Sequence, residues 1–382
     1  MWFNKIKTAT LIACITLIAF LPLALQLLLH ESERQLMSRA ASTPLVIGVK
    51  GSALDLVMNT LYFVDEVPEL LTMADVDRIE DSHLALPIPM YVRFQARGYP
   101  IVGTTMDYFD FRGLEVAQGR SLAIIGEAVL GATVAKELGL QPGDFLISSP
   151  ENPFDLAGVY PLKMPVVGIL RETHSSDDMA VLVDLKTTWI IEGLGHGHQD
   201  LLKDQDSSLI LDQTENTITA NAKLRLYTEI SEINLDSFHF HGDRSQYQLT
   251  ASIAVPTDPK SATLLRGRYV SQETLTQIVQ PAEVIDGLLQ NIFQIKNVID
   301  AIIVMVGIAT MLAIILVFAL SLRLRQREIG TVFKLGCQRM TIARLMAAEI
   351  FLIIVFSSFF CGGLMTLVHY FKNDLVRMAV IQ

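Results

Sequence analysis

The sequence is short of charged residues and of cysteine. Only 18% of its 382 residues are charged, whereas about a quarter are charged in an ordinary soluble protein. The cysteines are Cys14, Cys337 and Cys361, so the long stretch between the first and the second has none. No disulfide can form within that stretch, which has to be stabilised by a buried hydrophobic core.

Motifs of common catalytic sites are absent as well. The sequence contains no GxxxxGK[ST] phosphate-binding loop, no HExxH, no GxSxG and no paired CxxC. The first is the loop with which many ATPases bind nucleotide, and the others mark metalloprotease, hydrolase and metal or redox sites. We therefore expect a protein without catalytic activity of its own.

Apolar residues are concentrated in three blocks, 8–29, 301–320 and 350–368. None of them contains Asp, Glu, Lys or Arg, and a charged side chain at the centre of a bilayer costs about 2.5–3.5 kcal/mol. Each block is close to the roughly 20 residues with which an α-helix crosses the hydrocarbon core. The sequence therefore predicts three transmembrane helices.

The first block has two alternative interpretations. It could be a cleavable signal peptide, with Ala40, Ala41 and Ser42 at the cleavage site, or a lipoprotein signal ending at Cys14. The apolar core of a signal peptide has about 7–15 residues, and this block is longer and stays apolar well past the cysteine. We therefore interpret it as an uncleaved anchor.

Basic residues predict the orientation of the chain. They precede the first block and lie between the second and the third, namely Lys5, Lys7, Arg323, Arg325, Arg327, Lys334, Arg339 and Arg344. Both segments should be cytoplasmic. Since the whole chain carries a net charge of −10, the remaining long segment outside the cytoplasm must be strongly acidic. Such a domain is unsuited to nucleic acid but attracts cations.

These observations predict an α-helical membrane protein with a large α+β domain between its first and second membrane helices. The predicted segments are a cytoplasmic N-terminus with the first helix (1–30), an outside domain (31–295), two further membrane helices (296–322 and 347–370), a cytoplasmic loop between them (323–346) and a short outside tail (371–382). The part 90–183 is rich in short β-like runs. We predict strands at 99–105, 123–125, 145–148, 164–170 and 180–183, helices at 53–63, 131–138, 186–191 and 281–300, and a loop at 193–215.

Histidine residues offer a candidate metal site in the outside domain. They form two H-x-H pairs, His196 with His198 and His239 with His241. In an extended segment, residues two apart face the same side, so each pair can present two imidazoles to one ion, and Zn²⁺ is the ion that we expect. His174, Asp177 and Asp178 form a third polar group. The alternative is that these are ordinary surface histidines.

The cytoplasmic loop carries a family resemblance. Its residues Arg327, Glu328, Ile329, Gly330, Lys334, Leu335 and Gly336 occupy the positions of a segment that follows the second membrane helix in FtsX/MacB-type ABC permeases. The stretches 126–146 and 164–170 resemble the β-rich subdomain of the family's periplasmic region. The chain is thus similar to these permeases over most of its length, and it departs from them in having no predicted fourth membrane helix.

The resemblance implies a type VII ABC transporter in the bacterial inner membrane. A permease homodimer would bind ABC-type ATPase subunits through the short cytoplasmic helix around Glu328 and Lys334. The ATPase subunits would hold ATP and Mg²⁺. A further partner in the periplasm or outer membrane is expected. The client stays open, and the histidine pairs make a metal-related client one option. The alternative is a membrane-anchored metal-binding or scaffold protein without an ATPase, for which the loop would be an ordinary basic connector.

Overall fold

The computed structural model describes residues 5–64, 66–149, 161–197, 210–214, 217–220, 228–230, 234–269, 275–324 and 339–380. The chain divides into two compact units. The helical unit comprises Met1–Leu36 and Gly287–Gln382, and the sheet unit comprises Met37–Asp286.

The described α-helices differ greatly in length. Three are long, namely α1 (Lys5–Ala41), α8 (Pro281–Leu324) and α9 (Arg339–Val380). The others are α2 (Ala53–Tyr62), α3 (Met73–Asp81), α4 (Met106–Arg112), α5 (Ala132–Leu138), α6 (Leu185–Glu192) and α7 (Pro259–Arg268).

Most of the strands are short. They are β1 (Leu45–Val49), β2 (Leu71–Thr72), β3 (Ala85–Ala96), β4 (Tyr99–Thr104), β5 (Val116–Gly119), β6 (Ala128–Leu130), β7 (Phe145–Ile147), β8 (Leu162–Leu170), β9 (Val181–Asp184), β10 (Gly195–Gly197), β11 (Ile210–Thr214), β12 (Thr217–Ala220), β13 (Thr228–Glu229), β14 (Phe238–Phe240), β15 (Gln248–Leu249), β16 (Ala251–Pro256) and β17 (Thr276–Val279).

A mixed sheet organises the sheet unit. Its strand order is β13-β8-β6-β9-β4-β3-β16-β1-β17, with β5 and β7 also paired to β8. The long strand β3 joins the two halves of this sheet, because its first part pairs with β16 and its second part with β4. Apolar side chains of the sheet, such as Tyr91, Ile101 and Val181, are fully buried and pack against the short helices.

Local chemistry explains where several elements begin and end. The side chain of Ser52 caps α2 by accepting a hydrogen bond from the N–H of Asp55, at 3.2 Å, as its position before the helix predicts. Gly143 adopts a φ of +102° in the turn before β7, where the N–H of Asp144 donates to the carbonyl of Gln141 at 3.0 Å. The helices predicted at 53–63, 131–138, 186–191 and 281–300 are all present within one or two residues of their predicted bounds, the last as the beginning of α8.

Two predicted segments are wrong. The predicted strand 123–125 is a loop, because the N–H groups of Ala123 and Ile124 donate to the carboxylate of Glu127 at 2.8 and 3.2 Å, and Gly126 then reverses the chain with a φ of +88°. The strand begins only at Ala128. The predicted loop 193–215 contains β10 and β11, which are held by strands later in the sequence.

In the helical unit, two described helices are long and apolar enough to cross a membrane, within Thr8–Ala41 and Ala347–Phe371. They contact each other through two hydrogen bonds, each 3.4 Å long. The hydroxyl of Thr16 donates to the carbonyl of Ser357, and the hydroxyl of Ser357 donates to the carbonyl of Ile12. The block predicted at 301–320 lies in α8, of which Asp300–Ala309 is a shorter apolar segment. A third membrane crossing therefore stays a prediction.

Candidate functional site

The end of α1 is fixed in the sheet unit by a buried ion pair. Arg39 donates from Nη1 to Oδ2 of Asp177 at 2.6 Å and from Nη2 to Oδ1 at 3.0 Å. Nη2 also donates to the hydroxyl of Tyr108 at 2.9 Å, and that hydroxyl donates to Oδ1 of Asp177 at 2.7 Å. All three side chains are buried. We call this group the Arg39 anchor.

The neighbouring elements hold the Arg39 anchor in place. At the end of α1, Ser42 and Thr43 donate their hydroxyls to the carbonyl of Arg39 at 2.9 and 3.0 Å. Asp177 lies in a 3-10 turn, Ser176–Met179, and accepts a further hydrogen bond from the hydroxyl of Ser175 at 3.0 Å. Each polar group in the cluster thus has a partner, as buried charges require.

The charge of Arg39 decides the protonation state of Asp177. Burial by itself would raise the pKa of this carboxyl group, because the charged form is poorly solvated in the interior. The positive charge of Arg39, together with hydrogen bonds from Arg39 and Tyr108, instead holds the pKa of Asp177 at about 2. Asp177 is therefore ionised at neutral pH, and the anchor is a salt bridge.

One histidine of each predicted pair lies on a strand, His196 on β10 and His239 on β14. Strand β10 pairs antiparallel with β14, and His196 lies directly opposite His239 in the register. The rings of His239 and His241 are in contact, with centroids 4.6 Å apart. Phe240 lies between them in sequence and packs against Trp189, at a centroid distance of 6.3 Å. His198 lies outside the described residues.

The third polar group is rearranged relative to its prediction. Asp177 is engaged in the Arg39 anchor. His174 instead lies near Asp178 and Glu172, and the ligand atoms of these three side chains are all within 4.8 Å of one another. Glu172 was absent from the predicted group.

The predicted coupling residues Arg327, Glu328, Ile329, Gly330, Lys334, Leu335 and Gly336 lie outside the described residues.

The sequence analysis did not predict the Arg39 anchor. Arginine is common at the membrane–water interface near the end of a membrane helix, so Arg39 by itself does not indicate a buried ion pair. The adjacent acidic residues Asp177 and Asp178 were the only sign of a buried partner.

Comparison with known proteins identifies the sheet unit. Residues 15–225, more than half of the chain, match the family profile of the MacB-like periplasmic core domain. No curated protein gives a significant match. One similar solved structure is the periplasmic region of MacB from Actinobacillus actinomycetemcomitans, with 12% identity, a TM-score of 0.36, and coverage of 67% of this chain and 98% of that one.

Another similar solved structure is the extracellular domain of the ABC-type transporter YknZ from Gram-positive bacteria. Its identity is 12% and its TM-score 0.33, and the match covers 62% of this chain and 98% of that one. The periplasmic core domain and the apolar helices α1 and α9 together indicate an inner-membrane protein. On the profile match over more than half of its length, this chain belongs to the MacB/FtsX-like family of ABC transporter permeases.

Proposed function

We propose that this chain is the permease subunit that couples ATP hydrolysis by a separate ATPase to conformational work in the periplasm. The observation that carries the proposal is the match of residues 15–225 to the MacB-like periplasmic core domain. These 382 residues contain no GxxxxGK[ST] phosphate-binding loop, and in this proposal the nucleotide is bound by the ATPase.

The cytoplasmic loop 323–346 would dock on that ATPase. Arg327, Glu328 and Lys334 would supply charges that pair with the partner, while Ile329 and Leu335 would fill an apolar groove, and Gly330 and Gly336 would allow close approach. The helix α8 is unbroken from Pro281 to Leu324 and leads directly to this loop in the sequence. A stiff helix passes displacement along its axis, which suits mechanical coupling. The working unit would be a permease homodimer, with a periplasmic or outer-membrane partner as the receiver.

The native Cys337 tests whether the loop lies on the ATPase side of the membrane. The loop is cytoplasmic in the proposed topology. A membrane-impermeant maleimide is therefore expected to leave Cys337 unlabelled in intact spheroplasts and to label Cys337 in inverted vesicles. Mass spectrometry of the labelled peptide reads out the result. The variant Cys337→Ser is the control for labelling at Cys14 and Cys361. Labelling of Cys337 in intact spheroplasts would place the loop outside and rule out ATPase docking there.

We also propose that the histidine pairs bind Zn²⁺, with His196, His198, His239 and His241 as the ligands. The observation that favours this site is the register of β10 and β14, which sets His196 opposite His239. Residues directly opposite in an antiparallel pair have Cβ atoms about 4.5–5.5 Å apart, within the reach of one ion. The ring of His241, which follows the end of β14, contacts the ring of His239 and adds a further imidazole.

Replacing His239 and His241 by alanine is expected to lower the zinc affinity of this site at least tenfold, since two of its four ligands are lost. Equilibrium dialysis of the full-length protein in detergent against Zn²⁺, with metal analysis, measures the effect. The variant His30→Ala removes an exposed histidine of α1 and should bind zinc like the unaltered protein. Zinc binding that is the same in His239→Ala/His241→Ala and in His30→Ala would exclude the histidine pairs as ligands.

A further inference from the structure

Two adjacent aspartates of the 3-10 turn are buried, and they differ in the partners that the described residues give them. Asp177 is 2% exposed and is neutralised by Arg39. Asp178 is 0% exposed, and its carboxylate accepts from the N–H of Thr173 at 2.9 and 3.2 Å and from the hydroxyl of Thr173 at 3.1 Å. In the part of the chain that the structure describes, no lysine or arginine forms an ion pair with it.

This difference between the two aspartates points to an ion. Buried carboxylates in proteins are paired with a cation or coordinate a metal. The hydrogen bonds from Thr173 use part of the acceptor capacity of Asp178, since an ionised carboxylate offers about four lone-pair sites. Asp178 therefore retains acceptor capacity, and side-chain atoms of Glu172 and His174 lie near its carboxylate.

The three side chains have the donors and the spacing of a transition-metal site. Their ligand atoms all lie within 4.8 Å of one another, and Nδ1 of His174 is 3.6 Å from Oε1 of Glu172. Ligand atoms around a tetrahedral zinc ion, with bonds of about 2.1 Å, are roughly 3.4 Å apart. We propose that Glu172, His174 and Asp178 form a binding site for a divalent transition-metal ion of the zinc type.

The donor set selects the class of ion. An imidazole combined with carboxylates suits Zn²⁺ and its neighbours, whereas Ca²⁺ and Mg²⁺ prefer oxygen ligands only. With three protein ligands, a water molecule can complete a tetrahedral shell. The side chains of Glu172 and His174 are 53% and 64% exposed, so these two ligands are open to solvent, whereas the carboxylate of Asp178 lies beneath the surface.

The site is also organised before an ion binds. The Thr173 hydrogen bonds orient the Asp178 carboxylate, and the hydroxyls of Thr173 and Ser175 bond each other at 2.8 Å. Hydrogen-bonded carboxylate ligands of this kind are typical of protein metal sites. The residue before Asp178, Asp177, is held by Arg39, so the ion would bind on the segment that also receives the end of α1.

The test separates this site from the histidine pairs. The full-length His239→Ala/His241→Ala protein in detergent is freed of metal with a chelator and dialysed against Zn²⁺ alone, and bound zinc is counted by elemental analysis. We expect this protein to retain one zinc per chain. Adding Glu172→Gln and His174→Ala should lower the affinity of that zinc at least tenfold, because even outer-shell changes cost 10–100-fold in metal affinity.

The matched control changes another exposed carboxylate of the same region. Glu115 pairs with Arg171 at 2.7 Å, and both side chains are exposed, so Glu115→Gln should leave zinc binding unchanged. Circular dichroism checks that the variants are folded, which we expect because Glu172 and His174 are exposed. The proposal is overturned if the His239→Ala/His241→Ala protein binds no zinc, or if zinc persists with equal affinity after Glu172 and His174 are replaced.

Discussion

Replacing Asp177 by asparagine is expected to destabilise the protein by about 3–5 kcal/mol, since removing one partner of a buried ion pair leaves the other charge uncompensated in the interior. Arg39 would keep its charge, while the asparagine amide cannot accept the bidentate pair that the carboxylate accepts now. Thermal unfolding of the full-length protein in mild detergent measures the effect. For a domain of this size we expect the Tm to fall by roughly 10 °C.

Two further variants give this prediction its controls. Glu115→Gln breaks an ion pair whose side chains are both exposed, and such pairs contribute at most about 1 kcal/mol. Combining Arg39→Met with Asp177→Leu removes both buried charges and should recover much of the lost stability. A Tm of Asp177→Asn within about 2 °C of the unaltered protein would show that the Arg39 anchor does not hold the end of α1.

Reversing the charge of Glu328 is expected to remove most of the ATPase from the purified permease. A like-charge contact in an interface costs several kcal/mol, so Glu328→Arg should lower the recovered ATPase at least tenfold. Quantitative mass spectrometry of the tagged permease from solubilised membranes gives the ratio of the two proteins. The ratio should also fall for Lys334→Glu, because both residues lie in the proposed docking helix.

The control for this experiment is a charge reversal in the periplasmic domain. Glu115→Arg changes the charge by the same amount at an exposed position, and it should leave the recovered ATPase unchanged. Equal recovery with Glu328→Arg and Glu115→Arg would show that the loop 323–346 is not where the ATPase binds.

Local patterns predicted much of the fold. The caps and periodicity around α2, α5, α6 and α8 depend on residues close in sequence, and these helices are confirmed. Strand β3 was missed because Pro87 and Pro89 lack the N–H groups that a central strand normally uses. In the structure these prolines lie opposite Ala254 and Ser252 of β16, a pairing between residues more than 160 positions apart that no local pattern reveals.

The candidate sites show the same division between local and long-range information. Each H-x-H pair was visible in the sequence, but the register that sets His196 opposite His239 depends on how β10 and β14 pair. The Arg39 anchor likewise joins residues that are 138 positions apart. It also explains why the predicted group of His174, Asp177 and Asp178 was only partly right. Asp177 forms the ion pair with Arg39, and Glu172 is the third residue that lies beside His174 and Asp178.

Coupling of this chain to an ATPase is tested most directly by affinity purification of the tagged, unaltered chain from native membranes under mild detergent, followed by mass spectrometry. We expect an ABC-type ATPase in a near-equal amount to the permease, and an additional periplasmic or outer-membrane protein would identify the receiver. Recovery of the permease without any ATPase would rule out the proposed coupling and favour a membrane-anchored metal-binding or scaffold protein.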